Sequence, residues 1–225
     1  MTSSWQRRAF AIVIVACVQF VVLTLVAMLL YPGGTLRDPN TTGYSFYGSF
    51  LSELGLTRTH AGGSNLPSFI LFVVALTLAG GGLVLFFVAF ASFFRRTPLR
   101  RVVSALGSLA GIASGICFVG VAFTPADLFA QAHGQFVMWA FQLFPVAVVL
   151  YTAAILLEPN YPNRYAVVFA GFAVLLILYL ILLRTGPAPD LSTGLAIQAT
   201  GQKAIVYASV ITIGVQALGA RRQAR

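Results

Sequence analysis

Long apolar runs separated by short polar breaks dominate the chain, and their lengths predict helices that cross a bilayer. A spanning helix needs about 20 apolar residues, and six runs qualify: 8–31, 66–94, 102–123, 134–157, 165–183 and 203–219. Polar positions within them are few. Gln19 is the single amide of the first run, and since lipid offers it no partner it is expected to hydrogen-bond another helix. The fourth run carries Gln135 and Gln142, seven apart and so on one face, which is expected to point into the protein. It also carries Pro145, which frees the carbonyl of Phe141 and predicts a kink. The fifth run is uniformly aliphatic, as a lipid-facing helix would be. In the third, Gly107, Gly111 and Gly115 recur every fourth residue, a doubled GxxxG face on which another helix, from this chain or a second copy, is expected to lie.

One stretch breaks the pattern with a polar periodicity of its own. From Tyr44 to Thr59 the chain reads YSFYGSFLSELGLTRT, in which Ser45, Ser49, Ser52 and Glu53 fall on one helical stripe while Tyr44, Tyr47, Leu51 and Leu54 line another. Thr41 or Thr42 can cap its start, and Gly55 can end it in a left-handed conformation. The pattern predicts a short amphipathic helix lying at a membrane surface. It sits within a loop from Pro32 to Ser64 that is long for a compact bundle. A second polar break, Thr124-Pro125-Ala126-Asp127, has the residue types of a helix start, with Thr124 as cap, which accounts for Asp127 structurally.

Composition separates these runs from the core helices of a soluble protein. With 59% hydrophobic and 8% charged residues and a mean hydropathy of +0.90, too little polar surface remains to clothe a soluble globule. The expected fold class is all-α: an integral membrane six-helix transmembrane bundle, a single domain over residues 1–225, with the short amphipathic helix in its first outer loop. The first run ends in Tyr31-Pro32-Gly33-Gly34 without a cleavage signature and reads as a retained span. Basic residues orient the bundle, because arginine and lysine are retained in cytoplasmic loops. With the N-terminus inside, the 14 basic residues split 10 to 4, and only Arg37, Arg58, Arg184 and Lys203 fall outside. The expected localisation is therefore a cell (inner) membrane with both termini cytoplasmic. The net charge of +9 sits in short pairs at helix ends, which fits topology and anionic-lipid contact and not nucleic acid. Cys17 and Cys117 fall inside spans and read as inert apolar residues.

Ionisable residues gather the candidate chemistry on the outer side. Glu53, Arg58, His60, Asp127, His133, Asp190 and Lys203 are expected there near the boundary, with no such group at mid-membrane, which argues against a proton relay or an ion-coupled transporter. Three readings stand. Glu53, Asp127 and His133 are residue types of a divalent-metal or general-base hydrolase site, yet paired ligands such as HxxxH are missing and the chain has only 2 histidines. Alternatively, the aromatic helix dips into the outer leaflet, Arg58 or Lys203 meets a phosphate headgroup, and Glu53 pairs with one of them or accepts from the headgroup. Thirdly, a bundle with small-residue faces serves as an accessory structural subunit of a larger membrane complex. The preferred reading is non-catalytic binding or sensing of a lipid or other membrane component. Its ligand-binding candidates are Ser52, Glu53, Arg58, Asn65, Asp127, His133, Gln202 and Lys203, without catalytic residue, metal or cofactor. Membrane lipids are the expected partners, and the Gly107, Gly111 and Gly115 face is expected to serve a homo-oligomer or larger complex. His60, among glycines, is expected to be solvated and without a role.

Several of these residues also carry a resemblance. SFLSELG at Ser49 to Gly55, Asn65 and Phe72 entering the second span, the TPxD turn at Thr124 to Asp127 and His133 soon after together resemble the six-helix membrane family catalogued as domain of unknown function 998. That group is distantly similar to the eukaryotic DRAM and Sfk-type membrane proteins, which carry a similar Ser-Asp-Leu-Gly element in the first outer loop. Here Glu53 stands in place of the aspartate, keeping the charge and lengthening its reach. The resemblance implies no established reaction. It does imply that Ser52, Glu53, Asp127 and His133 form one constellation.

Overall fold

The computed structural model describes residues 4–190 and 192–224. It contains six long helices: α1 (Ser4–Leu30), α2 (Leu66–Phe90), α3 (Pro98–Ala122), α4 (Ala126–Leu157), α5 (Arg164–Thr185) and α6 (Ser192–Gln223). Short 3-10 turns run over Leu51–Gly55 and Ala91–Phe94. All six helices are long and apolar enough to cross a membrane, and the chain is a multi-pass membrane protein. Each helix packs on its neighbours in sequence, and α1 closes the ring against α6. The start of α1 and the finish of α6 therefore lie at one end, here the termini end. The long first loop and the α3–α4 and α5–α6 connections lie at the other, the loop end.

Small residues set the closest approach in the ring. A Cβ added to Gly80 of α2 would stand 2.8 Å from the carbonyl oxygen of Gly115, and one added to Gly115 would stand 2.9 Å from that of Gly80. Gly111 receives the ring of Phe87, and Gly107 that of Tyr151 on α4. The glycine face, on which a helix of this chain or of a second copy was expected, is packed by this chain's own α2 and α4. Serines reinforce the same seams: Ser108 Oγ donates to Phe87 O at 2.8 Å, and Ser114 Oγ to Ala140 O at 2.9 Å. Gln19 donates to Ala75 O of α2 at 3.0 Å, the interhelical bond its isolation required.

Two local expectations are corrected, and one break was not expected. Inside α4 the backbone is non-helical at Phe129 (φ −133°, ψ 47°), while Pro145 is buried within the helix. Gln135 is exposed on the flank of α4, so its face does not point inward as a whole. α5 is not lipid-facing all round: Tyr165, Phe169, Phe172, Leu176 and Tyr179 form a buried stripe against its neighbours. Two apolar cores result. The larger gathers Phe10, Phe86, Phe90, Phe94, Tyr151 and Phe169, and the smaller, around Phe20, Tyr31, Leu51, Leu54 and Phe72, includes the first loop itself.

Candidate functional site

The first loop is folded by glycines and closed by leucines. Gly33, Gly34 and Gly43 adopt positive φ (129°, 86° and 67°), which lets the chain turn back on itself, with Gly34 N–H donating to Thr41 O at 2.8 Å and Gly43 N–H to Pro32 O at 3.1 Å. The chain then dives into the bundle. Leu51 and Leu54, three apart and so on one side of the 3-10 turn, are buried among α1, α2, α4 and α6. Gly55 is tight against α2, since a Cβ there would lie 2.5 Å from the Phe72 ring. The helix expected over Tyr44–Thr59 is therefore reduced to Leu51–Gly55, and it plugs the loop end where a surface position was expected. Burying Leu51 and Leu54 between helices removes more apolar area from water than laying them on a headgroup layer would. Phe46 and Tyr47 stay exposed above the plug, at 48% and 66%.

The plug carries Glu53 inward, to 5% exposure. Its Oε1 faces His60 Nε2 at 3.6 Å, while its Oε2 is buried with no hydrogen-bond partner. Burial is the leading influence on this carboxyl and raises its pKa above the ordinary 4.5, opposed by the Phe50 backbone, His60, Ser49 and Lys203. His60 is brought there by a hairpin in which Arg58 pairs with Ser64, Thr59 N–H donates to Gly63 O at 3.0 Å, and Gly62 turns at φ 81°. His60 is exposed, as expected, yet its ring is the one basic group within 4 Å of the Glu53 carboxylate among the described residues.

Lys203 approaches from the other side. α6 begins eleven residues before the expected span, so Gln198, Gln202 and Lys203 lie on its first three turns. The lysine is 1% exposed. Its ammonium donates to Ser49 O and, at 3.0 Å, to Ala199 O, and it stands 5.4 and 5.2 Å from the ring centroids of Tyr44 and Phe46. Two of its three N–H groups are used, and it forms no ion pair with Glu53 among the described residues. Gln202 Oε1 accepts from Leu51 N–H at 2.7 Å and pins the plug. Asn65, fully buried, donates to Leu54 O and Leu56 O at 3.1 and 2.8 Å, leaving its Oδ1 unpartnered like Ser49 Oγ and Thr59 Oγ1. Four buried side-chain oxygens without a hydrogen-bond partner, those of Ser49, Glu53, Thr59 and Asn65, thus lie at the loop end, and Glu53 is the one ionisable carboxyl among the described residues that keeps such an oxygen.

The remaining candidates do other work. Asp127 does not take part in capping through Thr124, whose hydroxyl donates to Gly120 O at 2.8 Å. Its carboxylate instead accepts from Thr57 N–H (3.1 Å), Thr57 Oγ1 (2.5 Å) and Arg58 N–H (3.1 Å), tying the hairpin to α4. His133 Nδ1 is bonded to Thr124 O at 2.7 Å, at the end of α3. Arg58 is exposed and reaches Gly62 O at 3.4 Å; Ser52 is half-buried without a hydrogen bond among the described residues. Glu53 thus meets neither Asp127 nor His133 through a hydrogen bond or ion pair, and no three of His, Cys, Asp and Glu converge among the described residues. Two members of the cluster, His60 and Ser49, were missed. The Thr-x-x-Gly-Gly turn around His60 was the available signal for the first; for the second, it was a serine four residues before the carboxylate. No family model, curated protein or solved structure matches the chain.

Proposed function

We propose that this multi-pass membrane protein binds or senses a lipid or other membrane component, without chemical turnover, through the polar cluster under its first loop. One observation carries the proposal: Glu53 and Lys203 are both buried at this end and form no ion pair with each other among the described residues, and the Glu53 carboxylate keeps an oxygen without a hydrogen-bond partner. Buried groups of this kind are costly unless something satisfies them. A ligand offering both a donor and an acceptor, as a zwitterionic headgroup does, meets both needs, and the exposed Phe46 and Tyr47 are residue types that favour the membrane interface. The proposed setting is a cell (inner) membrane with both termini cytoplasmic, supported by the 9 basic residues at the termini end against 4 at the loop end among the described residues. Native mass spectrometry of gently extracted protein tests this. Retained lipid that disappears in Glu53→Gln with Lys203→Met is expected; identical lipid content in wild type and variant would refute the reading.

A second reading, an accessory subunit of a larger complex, draws on Gln135. An exposed amide within an apolar helix has no partner in lipid and is suited to a helix from another chain. Co-extraction of a second protein that is lost in Gln135→Leu would favour it.

A further inference from the structure

At the termini end, the basic residues of the α2–α3 connection and the first turn of α3 are not equivalent. Arg100 is committed to Glu158, Nη1 to Oε2 at 2.9 Å. Arg95 and Arg101 have no carboxylate partner among the described residues, and both line a cavity of about 470 Å³ whose walls are Ala91, Ala105 and Ser104. One guanidinium nitrogen of Arg101 lies 3.5 Å from the backbone carbonyl oxygen of Arg95, which brings the Arg101 side chain across to the segment that carries Arg95. Ser104 Oγ is turned back to Arg101 O at 3.2 Å and does not fill the space. Small side chains keep the cavity open. Toward the middle of the bundle, Val88 of α2 lies three residues before Ala91 and Leu109 four residues after Ala105 on α3, so both share the faces that line the cavity, and both are exposed, at 47% and 67%. Two guanidinium side chains on a small-walled cavity, with apolar side chains one turn further in, match a phosphate diester attached to acyl chains.

We propose that this cavity binds the headgroup phosphate of an anionic phospholipid, with the acyl chains running along Val88 and Leu109. The site is distinct from the loop-end cluster and does not depend on it. Phosphatidylglycerol, phosphatidylcholine and inorganic phosphate are titrated separately onto the full-length protein in detergent, with bound lipid read by native mass spectrometry. One phosphatidylglycerol per chain is expected, preferred over phosphatidylcholine. Each arginine near an anionic headgroup is worth about five-fold in affinity, so Arg95→Gln with Arg101→Gln should weaken binding about twenty-five-fold. Arg96→Gln, at an exposed arginine outside the cavity, should change it less than about two-fold. Ala105→Trp, which fills the cavity and keeps both charges, should also abolish the bound lipid. Equal weakening by Arg96→Gln, unchanged binding in Ala105→Trp, or displacement by inorganic phosphate at the lipid's own concentration would overturn the assignment.

Discussion

The two ends of the bundle each bury an acid beside a base, and they do so differently. At the termini end, Glu158 is 3% exposed and fully engaged: Oε2 meets Arg100 at 2.9 Å and Oε1 accepts from the Asn160 amide groups at 3.3 and 3.2 Å. Around it Phe90, Phe94, Tyr151 and Tyr161 pack ring against ring. At the loop end, Glu53 and Lys203 are equally buried, yet they do not pair, and the carboxylate keeps an idle oxygen. A closed pair with satisfied lone pairs is a fastening. An open one retains bonding capacity at a cost to stability, and this marks the loop end as the place where a ligand can gain.

Substitutions sharpen this contrast. The largest effect is expected from Arg100→Ala, which strands the buried Glu158 charge and should lower unfolding stability by about 3 kcal/mol in a detergent-based thermal or denaturant assay. Next, Gly55→Val drives a side chain into Phe72 and should lift the plug, costing about 2 kcal/mol and raising proteolysis between residues 44 and 64. Asp127→Asn weakens the charge-assisted bonds to Thr57 and Arg58; because the carboxylate is partly solvated, about 1 kcal/mol is expected, with faster amide exchange confined to the hairpin. Glu53→Gln should matter least to stability at neutral pH, by about 1 kcal/mol or less, since the only ionic contact it touches is the one to the exposed His60 at 3.6 Å. Its signature is pH dependence. The folded-state pKa of Glu53 is raised, so its stabilising contribution is full below the unfolded value near 4.5 and is lost as pH rises through the folded value. Wild type should therefore gain stability over Glu53→Gln as pH falls toward 4.5. A large loss at neutral pH in Glu53→Gln, comparable to Arg100→Ala, would erase the distinction between the ends.

The six spans were legible because about 20 unbroken apolar residues leave no alternative reading, and Gln19 was legible because an amide in lipid has only one kind of solution. The site was legible only in part. Ser49 to Gly55 has a helical polar stripe, but periodicity does not distinguish a helix lying on the membrane from a shorter turn buried among helix ends; the burial of Leu51 and Leu54 decided that. The extension of α6 by three turns was hidden because its first residues, rich in Gln, Gly and Thr, are not apolar enough to mark a span, and with it the burial of Lys203, the chain's single lysine. Grouping Asp127 and His133 with Glu53 followed their shared end of the bundle, but hydrogen bonds to Thr57 and to Thr124 occupy them separately.

Hydrogen–deuterium exchange over residues 44–65, in nanodiscs with and without zwitterionic lipid carrying a primary amine, tests the loop-end claim most directly. Protection of the plug amides that rises with that lipid, and does so in wild type but not in Glu53→Gln with Lys203→Met, is the predicted result. Equal protection in both lipid conditions would mean that Glu53 and Lys203 hold the loop and recognise nothing.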